Sequence, residues 1–252
     1  MTGATPQYPV APITEAIIDL QVQPAEGVEN SQLRMAHRDG DIGYPKCEQL
    51  LQAVGQMVVG PGVGSASVKQ NELGWKFVGA DGLQILQCRK DHFTLSRLSP
   101  YEGWEPFQRE ARRLWKIYRY ETNPSTVTRV AVRYINRIDI PRSPIDLKDY
   151  FRTSPEISPD LPQALEGYFM RLQLPFPDLS SHCFITQAIA PPSAKDTVSV
   201  VLDIDFFQAV NFEADDDETV WGVLSSHHVM KNTIFESCIT DRTRELFSRC
   251  QS

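Results

Sequence analysis

Asp203 and Asp205 are the residues whose type and spacing point most directly to chemistry. In a strand, residues i and i+2 project to one face, so the two carboxylates would stand side by side, an arrangement suited to holding Mg²⁺ or Mn²⁺ against a phosphate. Their flanks, Val200, Val201, Leu202, Ile204, Phe206 and Phe207, are apolar, and a carboxylate buried among such residues is costly unless it is paired. The alternative occupant of the pair is therefore a guanidinium from a neighbouring strand. Arg129, Arg133 and Arg137 offer three at spacing four, where planar donor forks suit either a carboxylate or a bound phosphate. A further cluster lies in Trp104 to Tyr120, where Arg109, Arg112, Arg113, Lys116 and Arg119 accompany Trp115 and Tyr120. Basic and aromatic side chains on one exposed helix face grip phosphates and stack bases, although Glu102, Glu105 and Glu110 dilute this charge.

The remaining candidates are weaker. His227 and His228 are adjacent, so on a helix they point about 100° apart and cannot chelate one ion together; a core or capping role is expected for His228. Gly60-Pro61-Gly62-Val63-Gly64 lacks a following Lys-Ser/Thr, and Pro61 removes a donor N–H, so it reads as a flexible loop rather than a phosphate cradle. Cys47, Cys88, Cys183, Cys238 and Cys250 are widely spaced with no C-x-x-C, which suggests buried or idle thiols. No G-x-S-x-G is present and no catalytic constellation is complete, which favours binding over catalysis.

These residues need elements to position them. The apolar fraction of 41% and charged fraction of 23% are those of a globular chain of 252 residues. No apolar run approaches the roughly 18 residues of a membrane span, and the first ten residues lack a signal-peptide pattern, so a cytoplasmic protein with no membrane partner is expected. Strands are expected at Ile13 to Val22, Gly74 to Val78, Leu83 to Arg89 and Phe93 to Leu98, the middle pair joined through Asp81-Gly82. Trp104, Phe107, Ala111, Leu114 and Tyr118 recur at spacings of three and four, which predicts an amphipathic helix over Trp104 to Tyr120 that ends at Asn123-Pro124. Val127 to Ile140 alternates as a strand with one apolar and one basic face. Further strands are expected at Cys183 to Ala190 and Val198 to Val210, and a helix at Thr219 to Ile239 behind the acidic run 213 to 218. Tyr44 to Val54 and Leu161 to Leu172 read as helices, Gly55 to Ser67 as a loop, and Val28 to Ile42 as aperiodic. The order of strands followed by a long Trp-bearing helix occurs twice. The expected class is α+β, with antiparallel sheets, helices packed on one side, and two pseudo-equivalent halves, 1–142 and 143–252, in one compact unit.

Several short blocks resemble one pattern over nearly the whole chain: Pro12-Ile13-x-Glu15-Ala16-Ile17, Tyr44-Pro45, Phe93 to Leu98 running into Ser99-Pro100-Tyr101-x-x-Trp104-x-x-Phe107, Arg133-Tyr134-Ile135-Asn136, Asp146-Leu147-x-x-Tyr150-Phe151, Leu202-Asp203-Ile204-Asp205, and His228 followed by Phe235-Glu236. The pattern is similar to that of a conserved-hypothetical family of bacteria and archaea, sporadically distributed among genomes. The resemblance implies one continuous unit of this length and brings no established activity. Its patchy distribution suggests an accessory role in antiviral defence, CRISPR-associated systems included, or in toxin–antitoxin modules.

Charge sharpens the functional expectation. Between Arg89 and Arg142 twelve Lys/Arg face six Asp/Glu, a balance of +6 in a chain of net charge −7, which leaves −13 elsewhere. Opposed acidic and basic segments suit charge-complementary docking, so the leading expectation is a non-catalytic binding or regulatory protein that docks a protein partner. Its alternatives are a metal-dependent enzyme acting on a phosphorylated substrate, with Asp203 and Asp205 holding the metal, and an RNA- or DNA-binding module that uses segment 89–142.

Overall fold

A computed structural model describes residues 8–35, 43–60, 63–141 and 145–248. Nine strands form one antiparallel sheet: β1 (Ile13–Gln23), β2 (Lys46–Gly60), β3 (Val63–Val78), β4 (Gln84–Arg89), β5 (His92–Leu98), β6 (Thr126–Pro141), β7 (Phe169–Phe176), β8 (Ser181–Ala190) and β9 (Thr197–Glu213). Their order across the sheet is β2-β3-β4-β5-β1-β6-β9-β8-β7. The α-helices among the described residues are α1 (Asn30–Met35), α2 (Trp104–Thr122), α3 (Asp217–Cys238) and α4 (Asp241–Ser248). The chain is thus an α+β protein with an antiparallel sheet.

Period-2 alternation decides which face carries the core. Ala16, Ile18, Leu20 and Val22 of β1, Val130, Val132 and Tyr134 of β6, Phe93 and Leu95 of β5, and Val200, Leu202, Ile204 and Phe206 of β9 are all buried. They form one cluster with Trp104, Phe107, Ala111, Leu114, Trp115 and Tyr118 of α2 and with Val220, Leu224 and Ile234 of α3. Phe93 meets Trp115 and Tyr118 edge to face at 5.5 and 5.7 Å, locking α2 over β5. Helix α2 therefore packs across the sheet as its 3–4 spacing predicts. Its end also follows the sequence: Asn123 adopts a left-handed conformation (φ 42°), and its N–H donates to the Arg119 carbonyl. Among the described residues no helix is long and apolar enough to cross a membrane.

The connectivity repeats. Strand β1 precedes the meander β2 to β5, whose last strand returns to pair with β1, and α2 follows; β6 precedes the meander β7 to β9, whose last strand returns to pair with β6, and α3 follows. In this connectivity the second unit opens at Thr126, so β6 groups with the strands after residue 142. The two opening strands pair with each other from Ile13↔Asn136 to Gln23↔Thr126, joining both units into one sheet.

Three expected elements are corrected. Residues 46–60 are a strand and not a helix, and β2 and β3 continue through the expected loop, with Gly60 paired to Val63; Pro61 and Gly62 lie outside the described residues. Leu51, one of the residues whose spacing suggested a helix, is 50% exposed and so marks no buried stripe. The helix expected over 161–172 is instead irregular chain running into edge strand β7. Leu161 and Phe169 are 58% and 72% exposed, so this spacing too has no core to meet, and Pro162 and Gly167 disfavour a helix. The stretch from Val28 yields the short helix α1, anchored by buried Leu33; residues 36–42 lie outside the described residues.

Candidate functional site

Asp203 and Asp205 lie on the sheet face opposite the helices, beside the arginine row of β6. Asp203 receives two hydrogen bonds from Arg133, from Nε at 2.9 Å and Nη2 at 2.6 Å. Arg129 donates to Asp205 at 3.1 and 3.2 Å and to Asp19 at 2.8 Å, and its guanidinium lies over the Phe207 ring. Arg137 bonds Asp139, Ser199 and the Pro191 carbonyl. Of the two occupants the sequence allows, the guanidinium is the one in place. A cation between the two carboxylates would have Arg129 and Arg133 as immediate neighbours, and among the described residues no group of three His, Cys, Asp or Glu is assembled to hold a metal. The donor set fits ion pairing.

The basic segment is largely answered within the chain. Arg97 pairs with Asp81 and Glu102, Arg113 with Glu110, and Arg119 with Asp217 and the Ala214 carbonyl. Trp115, expected on the outer face of α2, is fully buried and leaves Tyr120, 77% exposed, as that cluster's outward aromatic. Arg112 stands over the Trp221 ring, while Arg109 and Lys116 are exposed with no ion pair among the described residues. Arg142 and Cys250 lie outside the described residues; Cys47, Cys88, Cys183 and Cys238 are free thiols.

A different site emerges between the start of α2 and the second half of α3. A cleft of about 660 Å³ is lined by Tyr8, Pro12 and Ile13 before and in β1, by Tyr101 to Glu105, by Asn136 of β6, and by His228, Lys231, Asn232, Phe235 and Glu236 of α3. Glycine at 103 (φ 128°, ψ 174°) allows the chain to turn from β5 into α2 so that Trp104 faces α3. There the Trp104 ring stacks on His228 at 4.5 Å with an interplanar angle of 8°. Helix α3 is held at its start by Asp216, whose carboxylate accepts from the Thr219 N–H, and near its end by Glu236, which accepts from Tyr8 and Arg244.

Lys231 lies in the middle of this arrangement. It is 5% exposed, its Nζ sits 3.4 Å from the centre of the Tyr134 ring, and it has no ion pair or hydrogen bond among the described residues. Burial pushes its ammonium down to about 7. Burial first, and the Lys231 charge second, hold His228 at about 3, so its imidazole is neutral. The amide nitrogen of Asn232 faces His228 Nε2 at 3.4 Å, which makes Nε2 the acceptor and leaves the ring proton on Nδ1. Nδ1 lies 3.2 Å from the Tyr134 hydroxyl, and that hydroxyl lies 2.9 Å from Tyr101. The donors then run Asn232, His228, Tyr134, Tyr101, and the last hydroxyl proton, with no acceptor among the described residues, is free for the cleft. His227 points elsewhere, edge to face with Phe206 and 3.3 Å from Ser181, so the two histidines diverge as adjacent helical residues must.

No family model matches the chain, and no curated protein does. The site is defined by its own chemistry: a buried amine with no counter-charge bonded to it among the described residues, a hydroxyl donor, and apolar walls from Trp104, Phe235 and Ile13. Pro12, Tyr101, Asn136 and His228 meet at this cleft, whereas Asp203 and Asp205 stand on the opposite face of the sheet. Sequence reasoning missed Lys231. The signal was its place in the run Val220, Leu224, His227, Lys231, Ile234, Cys238, spaced 4, 3, 4, 3, 4, which puts a lysine in the buried stripe of α3.

Proposed function

We propose that this is a binding protein that takes a small carboxylate with an apolar body into the cleft between α2 and α3. The observation that carries the reading is Lys231, an amine almost wholly buried that lines the cleft and has no ion-pair partner among the described residues. Buried charges are normally paired, and a ligand carboxylate would complete the pair. The volume falls in the range of small-molecule sites, and Trp104 and Phe235 offer an apolar wall. Two of the lining acids are already held, Glu102 by Arg97 and Glu236 by Arg244, and Glu105 stands exposed at the rim.

Calorimetric titration with acetate, butyrate and 3-phenylpropionate tests the reading, with tryptophan fluorescence reporting on Trp104. Affinity is expected to rise with the apolar body and to vanish in Lys231→Met, whose thermal stability should equal or exceed that of the parent because a buried unpaired charge is removed. Uptake of none of the three, equal uptake by Lys231→Met, or equal uptake of neutral 3-phenylpropanol overturns it. The pH dependence has a definite sign. Binding requires the ammonium, and free Lys231 releases its proton near pH 7, so affinity should be flat from there down to the point where the ligand carboxylate itself takes up a proton, and should fall about tenfold per pH unit above 7. His228 is neutral throughout this range, and Tyr101 titrates well above it.

A second reading is docking of an acidic protein partner on α2, the reading closest to the charge contrast. One observation favours it: Arg109, Lys116 and Tyr120 are exposed within about 40° of one another around the helix axis. Salt-sensitive retention on a polyglutamate matrix, lost in the Arg109→Glu/Lys116→Glu double variant, is expected from this reading; retention unchanged by the substitutions removes it. A defence or toxin–antitoxin setting is suggested by the family resemblance alone.

A further inference from the structure

We propose that Lys231 is a nucleophile that captures carbonyl groups, and that the carboxylate ligand of the cleft is a 2-oxo acid held as an imine on Nζ. This inference rests on the cleft being a carboxylate site, and it adds the reacting atom. Lys231 lies over the face of Tyr134 with no anionic neighbour bonded to it, and its depressed basicity leaves about half of it as free amine at neutral pH.

An acid is also in place. Nζ sits over the Tyr134 ring and the Tyr101 hydroxyl sits against the Tyr134 oxygen, so amine and acid are separated by a single side chain. Both Lys231 and Tyr101 line the cleft. In the capture step the Nζ lone pair forms a bond to the carbonyl carbon while the carbonyl π electrons move to oxygen, which takes the Tyr101 proton. The nitrogen then gives up a proton to restore the Tyr101 hydroxyl, leaving a carbinolamine. Protonation of its hydroxyl by Tyr101 releases water as the nitrogen lone pair forms the C=N bond, and the iminium so formed returns its N–H proton to the Tyr101 oxygen. Amine plus ketone thus become imine plus one water, with no change of oxidation state. The His228–Tyr134 pair keeps the Tyr101 oxygen supplied with a donor, which eases its loss of a proton.

The test is borohydride trapping of the whole protein with phenylpyruvate at pH 7, read by intact mass and peptide mapping. Its carbonyl-free analogue 3-phenylpropionate serves as the reversible control. One reduced adduct per chain is expected, located on Lys231 ahead of every exposed lysine. Lys231→Arg should form no such adduct, Tyr101→Phe should form it at least tenfold more slowly, and the parent protein should bind 3-phenylpropionate reversibly in calorimetry. Adducts scattered over exposed lysines, or an equal adduct yield at other positions in Lys231→Arg, overturn the capture chemistry while leaving the carboxylate site standing. Loss of 3-phenylpropionate binding in the parent protein itself overturns both.

Discussion

Trp104→Ala is expected to lower stability by about 3–5 kcal/mol, a large share of what a domain of this size possesses. Trp104 is 9% exposed, stacks on His228 and meets Phe107 edge to face. It is also the first residue of α2, whose N-cap position supplies no side-chain hydrogen bond, so packing alone fixes where the helix begins. Chemical denaturation should show the midpoint falling with an unchanged slope, and the thermal midpoint should drop by on the order of 10 °C. Because the indole walls the cleft, 3-phenylpropionate affinity should fall as well. An unchanged midpoint with lost binding would mean that Trp104 serves the ligand and not the fold.

Arg129→Met has the second largest expected effect, about 2–3 kcal/mol at neutral pH. Its guanidinium bridges Asp19 and Asp205, each about one fifth exposed at the side chain, and removing it leaves two carboxylates facing a partner that is gone. The deficit depends on pH. Burial raises the Asp205 carboxyl above its ordinary value, with Arg129 and then Arg133 opposing the rise. A raised carboxyl binds its proton more tightly in the folded chain, so its contribution to stability is fully present below the unfolded value and is lost as pH rises through the folded one. Removing Arg129 raises Asp205 further. The gap between variant and parent should therefore narrow as pH falls from 7 towards 4, and Arg129→Lys should recover part of it. Denaturation at both pH values decides the matter; an equal gap at each would place the effect in lost packing over Phe207.

Much of the fold was legible because one physical rule dominates in each segment. β1, β6 and β9 bury alternate residues against the helices, and α2 carries an uninterrupted 3–4 stripe, so their patterns survive in the sequence. β2 and β7 are the two edges of the sheet. An edge strand is held by its ladder to one neighbour and buries little, so its side chains carry a weak record of its conformation; exposed Leu51 and Phe169 mimicked helical spacing for that reason. The ion pairs at Asp203 and Asp205 followed from an apolar strand beside a basic one. The cleft did not follow from any local pattern, because Tyr101, Tyr134 and Lys231 come from three elements brought together only by the crossing of α2 and α3 over the sheet. Lysine on a helix usually extends to solvent, and only its register within the buried stripe marks Lys231 as different.

The pairing of β1 with both β5 and β6 bears on how the chain is made. Ile13–Gln23 precedes both of its neighbours in the sheet, residues 92–98 and 126–141, and so leaves the ribosome before either of them. More than a hundred further residues must emerge before the central strand has ladder partners on both sides. During that interval Ile13, Ile17, Ile18, Leu20 and Val22 form an apolar segment with no sheet to enter, open to association with other nascent chains. The hairpins β2–β3 and β4–β5, built from sequence neighbours, can form in the meantime and present an edge on which β1 can pair.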